Sequence, residues 1–161
     1  MIRMTKQADY GIVLLTRLAQ EPERLTNATE LSQELQLPAP TVSKILKLLA
    51  RAGLLTSHRG AKGGYVLVRH AEQIKVAEII SALDGPIAIT ECIDDTPGVC
   101  AQESFCSVRG NWQRINEAIR GALEQITLAE MTHPISGGLV TLGGGSGRPD
   151  AGSVGVLEEA R

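Results

Sequence analysis

Apolar positions recur at helical spacing through the first half of the chain, interrupted by short polar turns. Ala8, Ile12, Leu15 and Ala19 share one face, and Thr5 can cap the helix they predict, which runs to about Gln20. After the EPER turn, Asn27 followed by Glu30 has the form of a capping box for a short second helix through Leu31 to Leu35. Pro40 suits the first position of a third helix, where a missing N–H costs nothing, and Gly53 supplies its stop. Val42, Ile45, Leu46 and Leu49 form the buried stripe of that helix. Short strands are predicted at Leu54 to His58 and Tyr65 to Val68, joined by a glycine-rich turn. A fourth helix from Val76 to Leu83 stops at Asp84-Gly-Pro, and Ile87 to Thr90 reads as extended. Further on, Val108, Trp112, Ile115, Ile119, Ala122 and Ile126 are spaced alternately four and three residues apart. That 3.5-residue repeat favours a helix packed lengthwise on another helix. No other stretch offers so long an apolar partner, so these six residues predict a homodimer.

The expected fold class is therefore mainly α with a small β-wing. A winged helix-turn-helix spans 1–83, a cysteine-containing loop 84–107, a dimerisation helix 108–131 and a disordered glycine-rich tail 132–161. The tail is expected to be disordered because eight of the seventeen glycines lie beyond His133, with too little apolar patterning to offset the entropy of ordering.

The formal net charge of -2 hides a split. Residues 1–70 hold ten Lys/Arg against five Asp/Glu, and residues 71–161 hold six against thirteen. The basic half is the candidate for a polyanion such as double-stranded DNA. Lys44, Lys47 and Arg51 share the outer face of the third helix, with Thr41 and Ser43 near its N-terminus. In a helix-turn-helix, short polar side chains there reach base edges and lysines hold phosphates. The wing places Arg59 and Lys62 at its tip, near the duplex backbone or minor groove. The other reading of the same charges is a solvated basic face on a helical bundle.

All three cysteines, Cys92, Cys100 and Cys106, lie in one polar, acidic stretch at the spacing C-x7-C-x5-C. Apolar neighbours, the usual setting of a buried structural cysteine, are scarce here. A soft-metal site is the sharper reading; a zinc site and free redox-active thiols remain open beside it. The odd count argues against a disulfide framework.

With these pieces in place, the chain resembles the IscR/NsrR-type family of winged-helix iron-sulfur regulators. The resemblance rests on LTRLA in the first helix, LPAPTVSKILKLLARAGLL around the third, SHRGAKGGYVL in the wing, VAEIISALDG, and the cysteine triplet followed by GNWQRIN. It covers about residues 1–131. DYG near the start, and GPIAITEC paired with VRGNWQRIN, are most similar to the branch that regulates the SUF iron-sulfur assembly system. The resemblance implies a repressor that acts as a redox sensor, binding an iron-sulfur cluster, [2Fe-2S] or [4Fe-4S], through Cys92, Cys100 and Cys106. Some members take a fourth ligand from a His three residues after the third cysteine, but Arg109 stands there and cannot ligate. Others use an acidic residue in the partner's first helix, and Asp9 occupies the matching position; its other reading is a surface carboxylate at a helix N-terminus. Glu91, Asp94, Asp95 and Glu103 are the remaining carboxylates at hand.

Catalysis finds no support: there is no nucleophile-base constellation, and His58, His70 and His133 are scattered. The glycine-rich turn lacks the context and ending of a phosphate loop. With neither an export signal nor a membrane-length apolar run, the chain is expected to be cytoplasmic, without a membrane partner. An iron-sulfur carrier or redox protein, and a regulator using its cysteines as a thiol or zinc switch, are the alternatives.

Overall fold

Thr5 opens the first helix by accepting from the Ala8 N–H at 3.1 Å, and α1 runs Lys6–Gln20 in this computed structural model, which describes residues 3–60, 62–90, 93 and 105–133. Asn27 caps α2 (Ala28–Leu35) through the Glu30 N–H at 2.9 Å. The predicted reciprocal half of the capping box is replaced, because the Glu30 carboxylate pairs with Arg24. A left-handed Gln36 then turns the chain into α3 (Ala39–Arg51), where Pro40 is the second helical residue, not the first.

Helix α3 ends as its glycine requires. Gly53 adopts φ +76°, its N–H donates to the Ala50 carbonyl, and Leu54 N–H reaches back to Leu49. This Schellman arrangement satisfies carbonyls that would otherwise be orphaned, and it turns the chain into the wing.

The wing is the antiparallel pair β1 (Leu55–His58) and β2 (Gly64–Leu67), each beginning one residue away from its expected start. The reason for β2 lies outside the hairpin. Thr26, in the loop between α1 and α2, exchanges backbone hydrogen bonds with Tyr65 at 2.9 and 3.3 Å. A Cβ on Gly64 would stand 2.9 Å from the Thr26 backbone, so only glycine permits this approach.

After a short 3₁₀ turn (Ala71–Gln73), α4 spans Val76–Asp84 and stops at Gly85 with φ +88°. Its end is fastened to the start of α1. Thr5 Oγ1 donates to the Asp84 carboxylate at 2.7 Å, and the Gln7 amide donates to the Leu83 carbonyl at 2.6 Å.

The stretch predicted as one helix over 108–131 is two helices, a correction to the sequence reading. α5 covers Arg109–Gln125, Ile126 is extended, and α6 covers Leu128–Thr132. The break is driven by pairing with the head: Val76 N–H donates to the Ile126 carbonyl and Leu128 N–H to the Ile74 carbonyl. Thr127 and Glu130 then form a capping box that starts α6. Leu128 enters one continuous core with Leu14, Leu15 and Leu18 of α1, Leu31 of α2, Ile45, Leu46 and Leu49 of α3, and Ile79 of α4. Burial of each such side chain contributes roughly 1.5–3 kcal/mol. The architecture is mainly helical with a two-stranded wing, as the sequence pattern predicts. The tail from 134 onward lies outside the described residues.

Candidate functional site

Helix α3 buries Val42, Ile45, Leu46 and Leu49, which leaves the opposite face free to meet a ligand. Pro40, Ser43, Lys44, Lys47, Leu48 and Arg51 line an open groove along it. A second depression, lined by Lys47, Ala50, Arg51, Ser57 and Tyr65, continues from the helix onto the wing. Lys47 and Arg51 belong to both, so one concave surface runs from α3 to β1 and β2. Arg59 and Lys62 are exposed in the turn between the strands. Thr41 is half-buried and does not line the groove, so of the two residues expected at base edges only Ser43 faces it.

Electrostatics sharpen this surface. Arg17 bridges Glu21 and Glu34, Arg24 bridges Glu21 and Glu30, and Arg69 pairs with Glu78. A hydrogen bond from Arg24 holds the Glu21 carboxyl below its ordinary pKa, and the one Arg17 donates to Glu34 raises the pKa of Arg17. Burial pushes Glu78 upward, but hydrogen bonds from Arg69 and the Lys75 N–H outweigh it, and its pKa is lowered. These three arginines are neutralised locally. Lys44, Lys47, Arg51, Arg59 and Lys62 form no ion pair with a described residue, and all five border the groove or the wing turn. Apart from Arg3 and Lys6 at the start of the chain, the positive charge of the basic half that has no described ion-pair partner lies along the α3 groove and the wing turn.

The apolar side chains at the start of α5 are exposed. Val108, Trp112 and Ile115 are 47%, 39% and 45% accessible, although apolar, and Phe105 just before them is more exposed still. Ile119 and Ala122 are half-buried, while Ile126 packs against the head's core. Ile126 is therefore engaged within its own chain, unlike the N-terminal members of the predicted dimer face.

Of the proposed ligands, Cys106 is half-buried three residues before α5 and outside any disulfide. Its carbonyl accepts from the Arg109 N–H. Cys92 and Cys100 lie outside the described residues, and no cluster of three metal-binding side chains occurs among the described ones. Asp9 is exposed in the first turn of α1. The segment from Ile87 to Thr90 forms no strand; Asn116 of α5 holds its backbone.

The model of the Rrf2 family, described as iron-dependent transcriptional regulators, matches residues 4–134. The chain belongs to the Rrf2 family. Members of the family are transcriptional regulators, not enzymes. The chain is 29% identical to protein rrf2 of Nitratidesulfovibrio vulgaris, over 84% of its own length and 90% of that protein's. It is 28% identical to the HTH-type transcriptional regulator IscR of Klebsiella pneumoniae, over 82% and 80%. The solved structure of CymR, the global cysteine regulator of Bacillus subtilis, superposes with a TM-score of 0.65 at 28% identity, covering 82% of this chain and 97% of that one. As an Rrf2 protein the chain is a winged-helix transcriptional regulator. No described helix is long and apolar enough to cross a membrane.

Sequence reasoning left three residues of this region unassigned. Ser57 and Tyr65, partners across the wing, face α3, but a four-residue strand has too short an alternation to show which side faces inward. Asn116 is buried on α5; its signal was an amide flanking an apolar repeat, and its partners lie 27 and 29 residues away.

Proposed function

We propose that this Rrf2 protein is a homodimeric repressor of iron-sulfur assembly genes, including a SUF-type system, whose affinity for double-stranded DNA is set by a bound iron-sulfur cluster. The observation that carries the DNA-binding part is the convergence on the α3 groove and wing turn of five cations that have no acidic partner among the described residues. In this reading Ser43 approaches base edges, with Thr41 beside it, while Lys44, Lys47, Arg59 and Lys62 contact phosphate or minor groove.

The donor set suits the cluster. Cys106 is free of disulfide, and Asp9 faces solvent, where a second subunit can be reached. Cys92, Cys100 and Cys106 would hold the cluster in one subunit, with Asp9 of the other completing the site; Fe-S clusters take three or four such protein ligands. When bound, the cluster would supply a centre that oxidants or nitric oxide can dismantle. Val108, Trp112 and Ile115 pair the subunits along α5, which starts three residues after Cys106. A change at Cys106 is thereby passed to the helix that sets the spacing of the two α3 helices. Dimers of this kind read half-sites about 34 Å apart, so a displaced head loses affinity.

A second reading is a thiol or zinc switch on the same scaffold. It is favoured by the similarity to CymR, which in Staphylococcus aureus has been solved in an oxidized form, at 26% identity to this chain. Anaerobic reconstitution with iron and sulfide separates them. The cluster reading predicts visible charge-transfer absorption that Cys106→Ser abolishes and Asp9→Asn alters in stability or spectrum. Zinc in place of iron, or no metal at all, would establish the second reading. An Asp9→Asn spectrum and lifetime identical to the parent's would move the fourth ligand to Glu91, Asp94, Asp95 or Glu103.

A further inference from the structure

Among the described residues only Thr26 and Asn116 are buried polar side chains. Thr26 is explained by its pairing with the wing. Asn116, only 8% exposed, uses both ends of its amide on one stretch of chain: Nδ2 donates to the Ile87 carbonyl at 2.9 Å, and Oδ1 accepts from the Ile89 N–H at 3.2 Å. The amide thus pairs with the backbone of Ile87 and Ile89 much as a strand neighbour would. The amide is buried, so an end of it left without its backbone partner is costly.

The placement gives the clamp its significance. The held segment follows α4 and precedes Cys92 by three residues, while Cys106 lies three residues before α5. The clamp binds the first arm to the helix that continues the second, with attachment points about 10 Å apart along its axis. We propose that Asn116 is a positioning residue for the cysteine ligand set, fastening the chain that leads to Cys92 onto the helix that begins three residues after Cys106. This rests on the ligand assignment proposed above. An outer residue that orients ligands changes metal retention by about 10–100-fold when removed.

The test compares the full-length parent with Asn116→Leu, which removes the amide, and Ile89→Pro, which deletes the N–H it accepts without altering α5. Cluster lifetime is followed as bleaching of visible absorption under an iron chelator. Thiol access is followed as the rate of iodoacetamide labelling of the metal-free protein at each cysteine. Urea unfolding midpoints report the fold. The expected result is bleaching at least tenfold faster in both variants, with changed labelling rates and cooperative unfolding retained. A lowered unfolding midpoint with unaltered bleaching and labelling would show a structural role only and overturn the proposal. Should the parent take up no cluster, the cluster reading fails on its own, and labelling decides: a change of about tenfold in both variants sustains the clamp, and equal rates remove it.

Discussion

Lys47 stands where the α3 groove meets the wing depression, and Ser43 lies one turn earlier on the same face. If both meet duplex DNA, their roles separate by measurement. Lys47→Ala should weaken binding to all sequences alike and reduce the slope of log K against log salt by about 0.9, the loss of one phosphate contact. Ser43→Ala should instead change preference at one base position by about 1–3 kcal/mol, with the salt slope kept. Equal slopes for Lys47→Ala and the parent would count against this placement of α3. These residues were legible in the sequence because charge spaced three or four apart beside an apolar stripe assigns an outer face without tertiary knowledge. Asn116 was not legible in the same way. Its meaning depends on backbone groups of Ile87 and Ile89, which no local periodicity marks.

The elements show the same division between local and distant causes. Caps and stops were readable: Thr5, Asn27 and Gly53 act where their chemistry places them. The break between α5 and α6 was missed because the apolar repeat continues through Ile126, while the pairing of Ile126 and Leu128 with the Ile74–Val76 segment is long-range. The Thr127-x-x-Glu130 box was the one local signal for a new helix. The consequence for stability is specific. Leu128 is fully buried against the head, so Leu128→Ala should cost about 2–5 kcal/mol in urea unfolding. A cost below about 0.5 kcal/mol would mean that α6 does not belong to the core.

At the scale of the whole molecule, α5 leaves the head with its N-terminal apolar face uncovered, at Val108, Trp112 and Ile115. Trp112→Asp should therefore convert a dimer to a monomer in sedimentation equilibrium while the head keeps its thermal midpoint. Losing the second head should reduce operator affinity by about 100-fold or more, since a linked pair gains roughly that by effective concentration. A Trp112→Asp protein that stays dimeric would place the interface elsewhere. The central claim joins this dimer to the cysteines, and one measurement reaches it directly. Protein purified without oxygen is titrated onto its own promoter region at fixed salt, before and after the cluster is removed by oxidation and chelation, with iron and sulfide counted on the same samples. The account predicts iron and sulfide in the purified dimer and an affinity that changes at least tenfold when they are lost. Equal affinity with and without the cluster would contradict it, as would full DNA binding by protein that never held iron.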